Sequence, residues 1–144
     1  MGGYGALHLA FRHPQLFSAV SAHSAALIEK LPVFLGGAAP QSGQPNRARI
    51  FGGVFGSPPD PAYWNRESPI TLARAANLAG LKIYFDCGDQ DDYAFDAGAA
   101  VLDKVLTARH VAHEFHLYPG RHDPAYFAAH LPASLEFHSR LFAR

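Results

Sequence analysis

The sequence predicts an α/β fold, a mostly parallel sheet with helices on its faces. Two apolar runs of strand length, "LKIYFDCG" (81–88) and "VAHEFHLYPG" (111–120), each close on glycine or a Pro-Gly turn. Between and around them lie stretches with helical spacing of apolar residues. The two kinds of segment alternate along the chain, and such alternation favours parallel pairing through crossover helices.

The elements follow in order. "MGGYGALHLAFRHP" opens the chain with a glycine-rich turn and then sets Ala6, Leu7, Ala10 and Phe11 at helical spacing. A helix is expected from Gly3 to about Phe11, ending where Pro14 biases His13 out of helical geometry. "FSAV" (17–20) suits a buried strand. From Pro32 to about Asn65 glycine and proline are dense, and a span this long predicts a surface excursion with short helical pieces, of the kind that borders binding sites. "LKIYFDCG" is the clearest strand. "FDAGAAVLDKVLTARH" places Phe95, Ala99, Leu102 and Leu106 on one helical face. "VAHEFHLYPG" then alternates His113, Phe115 and Leu117 against Ala112, Glu114, His116 and Tyr118. The final "DPAYFAAHLPASLEFHSRLFAR" reads as one long helix or two short ones, with Pro132 as a kink or a break.

Composition narrows the function classes. The chain has 144 residues, 49% hydrophobic and 17% charged, enough for one domain with a core. Twelve basic residues balance twelve acidic ones and form no stripe, which argues against a nucleic-acid reader or an anionic-lipid binder. Cys87 is the single cysteine, so an internal disulfide and a cysteine-rich zinc site are excluded. No apolar run reaches membrane-spanning length, and the N-terminus lacks the charged-then-apolar order of a secretory signal.

In open α/β sheets chemistry gathers where loops leave the C-terminal ends of strands. "CGDQDD" puts Asp89, Asp91 and Asp92 there. Alone, it reads as a solvated acidic turn that caps the next helix. A calcium loop fails at its sixth and twelfth positions, Ala94 and Ala100. Aspartate-based phosphoryl transfer fails because Gly88 stands two residues after Asp86. "YPGRHD" puts His122 in the next loop, where a lone histidine is more often a surface residue than a catalyst. The His122-Asp123 pair lacks the further helical His and Asp ligands of a metal phosphohydrolase. His113 and His116 face opposite sides of a strand, His8 and His13 are wrongly spaced for one helical face, and no metal site is expected. A dinucleotide loop also fails, since its third glycine falls on His8.

The order of the loops is more informative than either one. An acidic loop after one strand and a histidine loop after the next deliver the last two members of the triad in α/β hydrolases, whose first member is the serine of a G-x-S-x-G turn. A serine before Met1 would make Gly2 the closing glycine of that turn. "MGGYGALHLAFRHPQLFSAVSAHSAAL" resembles the segment after the nucleophile in esterases of the esterase D type, a superfamily that includes S-formylglutathione hydrolases, tributyrin and feruloyl esterases and mycolyltransferases. The likeness continues through "DPAYWNRESPITLA", "LKIYFDCGDQDDY" and "YPGRHDPAYFAAHLPASLEFHSRLF".

The resemblance implies that residues 1–144 form the C-terminal part of a single α/β-hydrolase domain, with the nucleophile strand and everything before it absent. It implies Asp91 as triad acid, from the family's G-x-x-D loop, with Asp89 and Asp92 as alternatives. His122 is the triad base, from the P-G-x-H turn, and the Met1 backbone N–H is half of the oxyanion hole. Trp64, Tyr126 and Phe34 are candidates for the border of an acyl or alcohol pocket, or plain packing aromatics. The implied activity of the complete protein is carboxylic-ester hydrolysis on a small-molecule ester or thioester, with no cofactor. Alternatives are acyl transfer of the mycolyltransferase kind and a non-catalytic binding module. The chain alone is expected to be inactive, and the apolar edge of the "FSAV" strand is expected to pair with another chain.

Overall fold

The computed structural model describes residues 1–30, 52–56 and 58–142. Three parallel strands, β1 (Ala19–His23), β2 (Lys82–Gly88) and β3 (His113–Tyr118), form one sheet in the order β1-β2-β3. The register pairs Val20 with Ile83 and Phe85 with Phe115, and carries Asp86 opposite both His23 and His116. Helix α1 (Gly2–Arg12) precedes β1, while α2 (Pro61–Glu67) and α3 (Pro69–Ala75) precede β2. Helix α4 (Phe95–Ala108) joins β2 to β3, and α5 (Pro124–Phe142) closes the chain. Among the described residues no helix is long and apolar enough to cross a membrane.

Each element has a local cause. α1 buries Tyr4, Leu7, Ala10 and Phe11, and it stops at His13, just before a 3-10 turn that begins with Pro14. α2 starts at Asp60, whose carboxylate accepts from the backbone N–H groups of Ala62 and Tyr63, with Pro61 at the first helical position. The C-terminal end of α3 is met by the Arg109 guanidinium, which donates to the carbonyls of Ala73 (2.7 Å) and Ala76 (2.8 Å). α5 is one continuous helix across Pro132, settling the alternative that the sequence left open.

The first strand lies two residues later than the apolar pattern predicts. Phe17 is partly exposed, and the ladder runs from Ala19 to His23. Val20 and Ala22 point into the core; Ser21 and His23 point to the other face. Small residues here admit a close helix: a β-carbon on Gly3 would stand 3.1 Å from the Ala25 β-carbon and 3.3 Å from that of Ala22. Pairing with the strongly apolar β2, rather than the propensity of residues 17–20, decides where β1 lies.

β2 is central and buried on both faces beyond Lys82, as a middle parallel strand must be. Its two faces differ in character. On one, Ile83, Phe85 and Cys87 meet Leu7, Phe11, Trp64 and Leu102 of the helices in an apolar core, where each aliphatic side chain withdrawn from water contributes about 2 kcal/mol. On the other, Tyr84 meets Phe137 and Asp86 meets Tyr126 of α5, while His23 of β1 reaches Ser134, and a polar layer replaces the oily one.

Candidate active site

The C-terminal ends of β2 and β3 carry two loops that are tied to each other. Asp89 N donates to the Tyr118 carbonyl at 2.8 Å, and Gln90 N to the Gly120 carbonyl at 3.0 Å. In return the Gly120 N–H donates to Asp89 Oδ1 at 3.1 Å. The loops touch where Gly88 meets Gly120: a β-carbon on Gly88 would overlap the Gly120 carbonyl, so this crossing requires glycine. Farther out, Arg121 binds the Asp92 carboxylate, with Nε at 3.0 Å, and the His122 N–H reaches Asp92 Oδ2 at 3.3 Å.

This clasp brings Asp91 and His122 together. His122 Nδ1 stands 2.8 Å from Asp91 Oδ2, with the Asp91 side chain out of solvent and that of His122 23% exposed. The other Asp91 oxygen accepts from the backbone N–H groups of Tyr93 (2.9 Å) and Phe95 (3.4 Å) at the start of α4. Burial pushes the Asp91 carboxyl up, but the His122 hydrogen bond and those two N–H groups outweigh it and hold the group below the usual carboxylate range. An ionised Asp91 accepts only, so Nδ1 of His122 carries the proton and donates it. Nε2 then carries the lone pair and has no hydrogen bond among the described residues.

Aromatic edges fix the imidazole plane. Tyr93, Phe95 and Phe127 meet the ring at centroid distances of 4.9, 5.7 and 5.2 Å, each close to perpendicular. Beneath the pair, the Cys87 thiol donates to Asp91 Oδ2 over 3.7 Å. Burial pushes that thiol up to about 12, so it remains a protonated donor rather than a nucleophile at neutral pH.

The other residues singled out in the sequence have varied placements. Asp89 and Asp92 are the bonds that hold the histidine loop, and neither is bonded to the ring of His122. Met1 begins α1 on the same rim of the sheet, since neighbouring Gly3 abuts Ala25 just beyond the end of β1. No hydrogen bond joins Met1 to Asp91 or His122 among the described residues. Trp64 is fully buried in the core against Phe55, with centroids 4.6 Å apart, and presents no face to a ligand. Tyr126 is also buried, its hydroxyl given to Asp86 at 2.8 Å. Both are buried in this structure, and Phe34 lies outside the described residues. Among the ring-flanking residues the sequence assigns Phe95 only a helix-packing role and leaves Tyr93 and Phe127 unmarked, although their adjacency to the loops in "DDYAF" and "DPAYF" is a usable signal.

Comparison with known proteins gives the arrangement a context. The family model described as "Putative esterase" matches residues 1–138. A search of curated proteins finds no match. Among solved structures the chain is similar to a ferulic acid esterase, at 25% identity and a TM-score of 0.71, over 99% of this chain and 48% of that one. It is similar in fold to the fluorophosphonate-binding serine hydrolase FphF of Staphylococcus aureus, at 18% identity and a TM-score of 0.66 over 94% and 50% of the two chains. The S-formylglutathione hydrolase FrmB of Staphylococcus aureus follows at 20% identity and a TM-score of 0.56, over 95% and 50%. The chain thus spans about half the length of these structural relatives.

Proposed function

Because the chain belongs to the esterase family whose model spans residues 1–138, we propose that it supplies the acid and the general base of a serine carboxylic-ester hydrolase, Asp91 and His122. One observation carries this reading: a part-exposed imidazole whose Nδ1 stands 2.8 Å from a buried carboxylate, while its Nε2 has no hydrogen bond among the described residues. An imidazole so held is oriented to accept a proton at Nε2.

The nucleophile in this proposal is a serine directly before Met1, with Gly2 closing its turn, so that residues 1–144 are the C-terminal part of one hydrolase domain. The half-length overlap with the structural relatives supports it. As the serine oxygen bonds to the ester carbonyl carbon, its proton passes to His122 Nε2, and Asp91 stabilises the imidazolium. The carbonyl oxygen becomes an oxyanion at the start of α1, where the Met1 N–H and the positive helix end meet it. Collapse breaks the carbon–oxygen bond of the ester, and the departing alkoxide takes the proton from Nε2. Water then repeats the sequence on the acyl-enzyme, releasing the acid and restoring the serine. The substrate class is a small-molecule ester or thioester.

The test uses the polypeptide extended upstream through its G-x-S turn, with p-nitrophenyl acetate. His122→Ala should lower kcat/KM by roughly 10³- to 10⁴-fold, and residues 1–144 alone should do no better than that variant. An extended His122→Ala protein that retains the parental rate overturns the assignment.

A further inference from the structure

Below the rim lies a second carboxylate that the reaction does not use. Asp86, on β2, is 1% exposed and faces α5. Its Oδ1 accepts from the Tyr126 hydroxyl at 2.8 Å. Its Oδ2 accepts from the Tyr84 hydroxyl at 2.9 Å and stands 2.7 Å from His23 Nδ1. Burying a carboxylate is costly unless donors converge on it, and replacing such a group with apolar side chains is often neutral or stabilising. Stability alone is therefore a weak reason for Asp86.

Its contacts lead upward to the histidine loop. The Tyr126 ring lies under Gly120, where a β-carbon would come within 2.7 Å of its Cδ2 and where φ is +148°. The Tyr126 N–H donates to Asp123 Oδ1 at 2.8 Å, tying the start of α5 to the residue after His122. The Tyr126 ring also meets the edge of Phe127, centroids 5.8 Å apart, and Phe127 in turn abuts the His122 ring. Tyr126 thus touches both sides of the turn that presents His122, and its hydroxyl is anchored on Asp86.

We propose that Asp86 is a positioning residue for the acid–base pair, acting through Tyr126 to hold the 119–123 turn and with it the imidazole of His122. The two neighbours Asp86 and Cys87 divide the work by face: the carboxylate steadies the histidine loop from the α5 side, and the thiol steadies Asp91 from the core side. The role rests on the proposed function, but its test does not, because the Asp91–His122 hydrogen bond can be observed with no ester present.

The experiment follows the His122 Nδ1–H proton of the 1–144 chain by low-field proton NMR, assigned by its loss in His122→Gln and distinguished from any His23 signal by His23→Gln. Tyr126→Phe removes one hydroxyl and leaves the ring under Gly120. Loss of a single anchoring hydrogen bond should then raise the exchange rate of that proton with water by roughly 5- to 10-fold. Asp86→Asn should act in the same direction; if it fails to fold, Tyr126→Phe alone decides. Exchange within twofold of the parent in folded Tyr126→Phe overturns the proposal, and would assign Asp86 to the packing of α5 only.

Discussion

Asp91–His122 and Asp86–His23 are alike in separation, 2.8 and 2.7 Å, but only the first has hydrogen-bond geometry, and they differ in what the second ring nitrogen meets. In the outer pair Nε2 has no hydrogen bond among the described residues. In the inner pair His23 Nε2 is 2.8 Å from the Ser134 hydroxyl, which itself donates to the Leu131 carbonyl at 3.0 Å. His113 resembles the inner case, with Nδ1 at the Val111 carbonyl and Nε2 at Asp103. The inner ring is closed off by a buried hydroxyl already committed to a helix carbonyl, which leaves its Nε2 no site for a reacting group. The outer ring is held through one nitrogen, by Asp91, and by three aromatic rings set close to perpendicular to it. An Asp–His contact by itself therefore says little about catalysis; the state of the opposite nitrogen says more.

The comparison can be broken most severely at the inner pair. Asp86→Ala removes the shared acceptor of Tyr84 and Tyr126 and the carboxylate beside His23, and should lower the unfolding free energy by about 3–5 kcal/mol, read by urea denaturation at neutral pH. A loss below about 1 kcal/mol would mean that the inner layer contributes little to holding α5.

Acid should sharpen the contrast next. The Asp91 carboxyl lies below its ordinary value in the folded chain. Its contribution to stability is therefore complete above the unfolded value, near pH 4, and is lost as pH falls through the lower folded value. Carbon-13 titration of the Asp91 carboxyl should give a midpoint below about 3.9, and Asp91→Asn should flatten the acid limb of the stability curve there. A midpoint at or above the ordinary value would contradict the described hydrogen-bond set.

The smallest effect is expected at the outer ring. His122→Ala should cost only about 1 kcal/mol in urea, since the side chain is partly exposed and Asp91 keeps two backbone donors. A cost as large as that of Asp86→Ala would erase the distinction between the pairs.

Much of this arrangement was legible before any coordinates. The alternation of periods yields the α/β class, and the parallel sheet puts the 89–92 and 119–123 loops on one rim. The expectation that the acidic turn caps the next helix and the expectation that it holds a histidine both describe Asp91, one carboxylate oxygen for each. β1 was misplaced because "LFSAVSAHSAAL" is uniformly small and apolar, so its own pattern cannot fix a boundary. The inner layer could not be read at all. A charged residue inside "IYFDCG" announces that it needs partners, but Tyr126 lies 40 residues away and only the register of sheet and helix brings it in. The same holds for the Asp92–Arg121 clasp, whose members belong to separate loops.

Gly98 sets a tolerance that reaches the imidazole. A β-carbon there would collide with the Leu27 carbonyl, so α4 rests directly on main chain just past β1. A helix seated this way can neither slide along its axis nor roll, because any other residue brought to that point would carry an atom that does not fit. Phe95 is three residues upstream on the same helix, and the spot where it leans on the His122 ring inherits that fixity. A single methyl group added at position 98, in the middle of the molecule, would be felt as a misaligned ring at its rim.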